Sequence, residues 1–255
     1  MPELTMDIRI IRSDISAIST LREQFLFESH CQSRFHATHG RGRSDTYLIH
    51  AGGHSIGYGS VKGLEEPTDR DTIFEFHILP PFRDFAAVSF RELIRASEAP
   101  FIECQSNHLL LAHQFYQFAT DISTTTILFG DLLSTDLQHA GGRVRPRTES
   151  DVIFEHRAEP VGDFVLDAGG TIVATGGFLT HYNAPFADLF MEVHPDHRGK
   201  GHGSFLVQEL KKQCYLSGRV PAARCDLDNA ASRATLLKAG MSIAGHIRRG
   251  TILHN

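Results

Sequence analysis

The sequence predicts an α/β protein with mixed sheets, the same unit built twice in tandem. Two stretches align without a gap: YLIHAGGHSIGYGS from Tyr47 and FVLDAGGTIVATGG from Phe164, an offset of 164 − 47 = 117, with Gly59 on Gly176. Carried onward, the offset sets Glu75 on Glu192, His77 on His194 and Leu93 on Leu210. A spacing this long exceeds a solenoid repeat and marks two related domains. Within each copy strand-like and helix-like runs alternate, the pattern of strands joined by crossover helices. The glycine- and arginine-rich QHAGGRVRPR suggests a division into residues 1–140 and 141–255.

The elements follow in order. SDISAISTLREQFLFESH reads as a helix, with Ser13 or Asp14 as cap and Ile15, Ile18, Leu21 and Phe25 as its apolar stripe. RFHATHGRGR, 34–43, reads as an exposed loop. TYLIHAGGHSIGYGSV and DFVLDAGGTIVATGGFL are each strand, Gly-Gly turn, strand. TIFEFHIL and ADLFMEV are short strands, and FAAVSFRELIRAS and GSFLVQELKKQCYLSG have helical spacing. In the latter, Leu206, Leu210 and Cys214 recur every four residues. APFIECQS and AARCDLD are strands again, followed by the helices HLLLAHQFYQFA and NAASRATLLKAG, the second stopped by Gly240. The stretch before Phe164 is too short for the opening helices that the first copy has.

A chain of 255 residues, 41% hydrophobic and 22% charged, can bury a core without disulfide staples. The net charge of −5 speaks against a broad basic face for nucleic acid. Four cysteines, at 31, 104, 214 and 225, form no CxxC pair, and the HxxH of His194 and His197 is too little to predict a metal site. MPELTMDIRIIRSD lacks the apolar segment of a signal peptide, and no apolar run approaches the roughly 18 to 20 residues of a membrane span. The expectation is a cytoplasmic protein with no membrane or nucleic-acid partner and no metal.

Chemistry concentrates in VHPDHRGKGHGSFLVQELKK, from Val193 to Lys212. Glycines at 199, 201 and 203 let backbone N–H groups approach a ligand, and the helix that follows adds unpaired N–H groups and a partial positive charge. That combination suits a pyrophosphate. A P-loop fails, because Gly199-Lys200 is followed by Gly201 rather than Ser or Thr. The dinucleotide fingerprint GxGxxG would end on Ser204 instead of glycine, and it stands as a further alternative.

RGKGHG, preceded by MEVHPDH, fits Arg/Gln-x-x-Gly-x-Gly/Ala and resembles the acetyl-coenzyme A (acetyl-CoA) loop of the GNAT N-acetyltransferase superfamily. NAASRATLLKAGM is similar to that family's next motif, in the expected order and spacing. The resemblance covers about Phe164 to Gly250 and reaches the first copy only through the repeat. It implies two tandem GNAT-like domains, each a mixed sheet whose fourth and fifth strands part around the pantetheine arm. On this sequence it implies that Met191, Glu192 and Val193 face the arm and that Asn229 stands beside it. N–H groups of Gly199, Gly201, Gly203 and Ser204, with Arg198 and Lys200 and His202 in the same turn, would take the pyrophosphate. The offset sets Phe82, Asp84 and Ala86 at the three glycine positions, so the first copy is read as degenerate, without the cofactor loop.

The implied reaction moves an acetyl group from acetyl-CoA to a small-molecule or peptide amine by direct attack. An amine that is protonated at neutral pH must first lose a proton. Asp188 and Glu192, four apart on one strand and so on one face, are the nearest acids, and Tyr182 and its neighbours His181 and Asn183 are close along the chain. Structural duties compete with each: ion pairing for Glu192, turn capping for Asp188, packing for Tyr182. A backbone N–H near Val193 suits the developing oxyanion. The family's usual tyrosine acid falls on Leu236, which cannot donate a proton. Either the thiolate leaves unaided, or Ser232, Cys225, Tyr182 or water replaces the tyrosine. That departure keeps a CoA-binding sensor without turnover as the alternative.

Overall fold

The computed structural model describes residues 7–29, 32 and 35–253. They form two compact units, the first running to Thr125 and resuming at His246, the second spanning Thr126–Gly245 with residue 32. The units are therefore not the contiguous pieces 1–140 and 141–255.

In the first unit, β1 (Ile8–Ser13), α1 (Ser19–Ser29) and α2 (Phe35–Gly40) precede the hairpin of β2 (Ser44–Ala51) and β3 (His54–Lys62). Then come β4 (Thr72–Ile78), α3 (Ala86–Ser97), β5 (Phe101–Gln105) and α4 (Leu109–Phe118). The next strand, β6 (Ala119–Asp131), leads into the second unit, whose elements are β7 (Gly142–Pro146), β8 (Phe164–Ala168), β9 (Thr171–Leu179), β10 (Phe186–Val193), α5 (His202–Leu216), β11 (Val220–Asp226) and α6 (Ala230–Lys238). The chain ends on β12 (Met241–Ile252).

Strand order is β1-β2-β3-β4-β5-β12 in the first unit and β7-β8-β9-β10-β11-β6 in the second. Among the described strand pairings, β4–β5 and β10–β11 are parallel, and α3 and α5 make those crossovers, since a tight turn cannot join parallel strands. Each sheet is thus completed by a strand from the other half of the sequence. Ile247–Thr251 of β12 pair with β5, and Thr126–Gly130 of β6 pair with β11.

The repeat has a physical basis. Both hairpins turn on two positive-φ glycines, Gly52-Gly53 and Gly169-Gly170, the backbone a two-residue hairpin requires. Both carry a register shift at the same place, Ile49/His50 and Leu166/Asp167. In both, the crossover helix lies so close to the sheet that a methyl on Gly59 would overlap Leu93, and one on Gly176 would stand 2.9 Å from Leu210 Cδ1. Strand pairing corrects the ungapped offset at one strand, however. Tyr58 pairs with His77 and its counterpart Thr175 pairs with Glu192, so His77 rather than Glu75 takes the place of Glu192. From there to the helix leucine the first copy has 93 − 77 = 16 steps and the second 210 − 192 = 18. The two extra residues fall in the segment that holds the glycine turn.

Each unit has its own core. Ile49, Ile56, Ile73, Phe76, Phe90 and Leu93 are fully buried in the first. Leu166, Ala174, Leu206, Leu210 and Cys214 are fully buried in the second, so the four-residue spacing of α5 is its core stripe. Full burial of one such leucine or phenylalanine contributes about 1.5–3 kcal/mol.

Two local expectations are corrected. Neither Ser13 nor Asp14 caps the opening helix: Ser13 Oγ donates to Ile11 O within β1, Asp14 makes no side-chain cap, and Ile15–Ile18 form a 3-10 turn before α1. The stripe holds at Ile18 and Phe25, which are fully buried, but Ile15 is exposed. Of the 34–43 stretch, Arg34 lies outside the described residues, and the rest does not begin as an open loop. Phe35–Gly40 form α2, and buried His39 places Nε2 2.9 Å from Glu75. Glu75 has no exposure and also meets Arg22 at 3.2 Å and the Tyr58 hydroxyl at 3.0 Å. A carboxylate so far from water requires such partners, and they draw α2 inward. In the second unit, residues 147–163 hold no helix or strand, in keeping with the missing opening helices. Among the described residues, no helix is long and apolar enough to cross a membrane.

Candidate active site

β10 and β11 pair only through Phe186, Ala187 and Asp188. Beyond Asp188 the ladder stops, and β11 continues against β6 from Ala222 to Asp226. Leu189–Val193 therefore keep an edge free of β11, and the parting strands open a cleft of about 490 Å³. Met191, Glu192 and Val193 line it from β10, residues 197–199 and 201–204 close one end, and α6 with its cap Asn229 forms a wall as far as Lys238.

The closing end is built for an anion. Gly199 and Gly201 have φ of +74° and +83°, values that side-chain-bearing residues adopt at a cost, so the turn selects glycine. Gly201 is the N-cap of α5, and no side chain caps that helix. The first backbone bond onto Gly201 O comes from Phe205 N, at 3.1 Å, so the N–H groups of His202, Gly203 and Ser204 have no partner inside the helix. A Cβ at Gly199 would meet nothing within 4 Å, and one at Gly201 only Lys238 Nζ, at 3.7 Å. The turn is open rather than buried against other protein. Arg198 Nε donates to Val193 O and Lys200 Nζ to Asp196 O, both at 3.2 Å, which holds two cations at the turn. Gly203 has another duty: a Cβ there would stand 3.1 Å from Thr235 Cγ2 and 3.2 Å from Met191 Cε. Its absence lets α5 lie against β10 and α6. Asn229 Oδ1 accepts from Ser232 N at 3.0 Å, capping α6 at the cleft edge.

Residues 130–241 match the Acetyltransferase (GNAT) family. That match takes in most of the second unit. Solved structures of the same fold extend over the whole chain. An acetyltransferase from the GNAT family from Colwellia psychrerythraea has 13% identity and a TM-score of 0.74, covering 97% of this chain and 100% of its own. A GCN5-related N-acetyltransferase from Sphaerobacter thermophilus has 14% identity and a TM-score of 0.59, covering 97% and 96%. A tandem GNAT protein from the clavulanic acid biosynthesis pathway, described without AcCoA, has 13% identity and a TM-score of 0.55, covering 98% and 100%. No curated protein matches the sequence. The fold is thus shared with GNAT structures, a tandem one among them, and the family match supports an acyl-CoA N-acyltransferase function for the second unit.

Within this cleft the acidic residues stand apart from one another. Glu192 is buried and accepts from the backbone N–H groups of Arg157, Ala158 and Glu159, at 3.0 to 3.2 Å. Burial opposes its charge, but those donors and His156 outweigh it and hold the carboxyl below its ordinary range. Asp188 is buried and does not line the cleft, its Oδ2 3.1 Å from His181 Nε2 and 3.9 Å from Arg224 Nε. Tyr182 is fully buried beside His181 and does not line the cleft. Ser232 does line it, with its hydroxyl toward Cys225. Leu236 is buried in the core, so the position that departs from the family pattern holds a packing residue. His202 is buried at the start of α5, its Nδ1 2.6 Å from His139 Nε2. Burial and the neighbouring His139, His197 and Lys200 push its pKa down.

Sequence reasoning missed Lys238, whose Nζ approaches the turn from the last position of α6, and the segment 156–159 that wraps Glu192. The Lys-x-Gly ending of α6 was a signal for Lys238. The segment has none, because only the fold brings it to β10.

Proposed function

We propose that the second unit transfers an acetyl group from acetyl-CoA to a primary amine. The observation that carries this reading is the open, positive-φ glycine turn at the uncapped start of α5, set where β10 and β11 part. Gly199, Gly201, His202, Gly203 and Ser204 offer backbone N–H groups to the pyrophosphate, and Arg198, Lys200 and Lys238 add positive charge around it. The pantetheine arm lies along the free edge of Met191, Glu192 and Val193, with Asn229 opposite. A short acyl group is favoured because the strands pair from Phe186 to Asp188, which ends the wedge. The first copy, with two fewer residues beside its 3-10 turn Pro80–Phe85, is proposed to lack this site.

Calorimetry with acetyl-CoA tests the assignment. Wild type is expected to bind, and Gly201→Asp, which sets a carboxylate against the pyrophosphate, to bind at least tenfold more weakly. Equal affinities would remove the turn from the site. Thiol release from acetyl-CoA in the presence of primary amines then tests transfer.

A further inference from the structure

The acids that the sequence singled out leave the cleft without an available base. Glu192 spends both oxygens on three backbone donors, and Asp188, paired with His181 and Arg224, does not line the cleft. One other carboxylate lines the cleft. Glu159 sits in the irregular segment before β8, on the same wall as Glu192. Its backbone N–H donates to Glu192 Oε2 at 3.0 Å, which pins its position at the edge of the wedge. Its side chain makes no hydrogen bond or ion pair with any described residue, and the residue is exposed. We infer that Glu159 is the general base of the transfer and that Glu192 is the positioning residue that holds it there.

The inference rests on the acyl-transfer reading and adds the class of acceptor. Asp188 and Glu192 from β10 and Asp226 from β11 surround Glu159 with negative charge, and Arg224 from β11 opposes them. A cationic amine entering there is drawn to the group that must deprotonate it. Glu159 takes one proton from the ammonium. The freed lone pair forms the new N–C bond, and the electrons of the C–S bond pass to sulfur. The second N–H proton ends on the departing thiolate through water, and Glu159 returns its own proton to solvent. Crowding of its carboxyl by protein, then the nearby carboxylates, raises its pKa above that of an ordinary glutamate, nearer the pH at which a base is most effective. The base must be ionised to act, so activity falls as pH drops through this raised value.

The test follows thiol release from acetyl-CoA with spermidine, n-butylamine and hydroxylamine from pH 5 to 9, with acetyl-CoA affinity measured by calorimetry. In Glu159→Gln, kcat with the two alkylamines is expected to fall about 100-fold or more, with the acetyl-CoA affinity unchanged. The acid limb of the pH profile disappears, and hydroxylamine, a weaker base that is already neutral in the upper part of that range, is affected far less there. Glu159→Asp restores part of kcat and the acid limb. An unchanged kcat and pH profile in Glu159→Gln, beside an active wild type, overturns the role of Glu159 and leaves acyl transfer standing. Equal losses with all three amines make the residue merely structural and also overturn it. A wild type that releases no thiol with any of the three defeats the acyl-transfer reading itself.

Discussion

Gly201 separates two demands that one residue meets. Its φ of +83° is costly for any residue with a Cβ, yet a Cβ there has room, since only Lys238 Nζ lies within 4 Å. Gly201→Ala is therefore expected to cost about 1 kcal/mol in backbone strain and to weaken acetyl-CoA severalfold, whereas Gly201→Asp weakens it further with a similar loss of stability. Calorimetry beside thermal melts separates the two, and equal affinity in both variants would mean that charge at the turn is immaterial. The importance of this residue could be read from the sequence, because glycine is chosen for its own backbone and reports on it locally. Glu159 could not. Its place depends on Glu192, 33 residues further along, turning a carboxylate toward the N–H groups of 157–159. Nothing in an irregular polar stretch announces that it will be wrapped in this way.

At the scale of elements, caps decide where the helices beside the cleft begin. α6 is only nine residues long and starts from the Asn229 cap, so Asn229→Ala is expected to cost about 1 kcal/mol and Asn229→Ser much less. Thermal melts of the two variants check this, and a serine variant as unstable as the alanine one would show that the cap contributes little. The asparagine was legible because its acceptor lies in sequence just before a helical spacing. Ser13 and Asp14 offered the same local signal and fail it, because Ser13 is already committed to β1 and the chain enters α1 through a 3-10 turn. Acid exposes a second element-scale property. His77 on β4 and His108 before α4 are buried, and burial lowers both pKa values to about 4. The unfolded chain takes up protons below about 6.5 while the folded unit does not, so stability is lost as pH falls from about 6.5 to 4. Glu75 adds to the loss lower down. Burial opposes its charge, but Arg22 and His39 hold its carboxyl at about 2, so its contribution is present above about 4.5 and fades as pH drops toward 2. Hydrogen exchange in Thr72–Ile78 is expected to quicken over the upper window in wild type and less so in His108→Leu; an identical pH response would discount the histidine.

The whole molecule shows what a repeat can and cannot disclose. Hairpin turns and bulges recur because each is set by residues a few positions apart, and the glycine under each crossover helix recurs together with the leucine it faces, so the duplication was legible. The exchange of β6 and β12 was not, since a strand's alternation specifies which face is apolar and says nothing of which neighbour it will join. That exchange dictates how the chain can be divided. Residues 141–255 contain the glycine turn and both GNAT motifs but lack Thr126–Gly130, which pair with β11 and bury Ile127 and Phe129. Cutting there leaves β11 an unpaired edge and removes two core side chains, each contributing about 1.5–3 kcal/mol. The fragment 141–255 is therefore expected to melt without cooperativity and to bind no acetyl-CoA. The fragment 126–245, which follows the contact unit, is expected to melt cooperatively and to bind it. Circular dichroism melts and calorimetry on the two fragments distinguish them. A cooperative, acetyl-CoA-binding 141–255 would show that β6 is dispensable to the second sheet, and the strand exchange would then be decoration rather than structure.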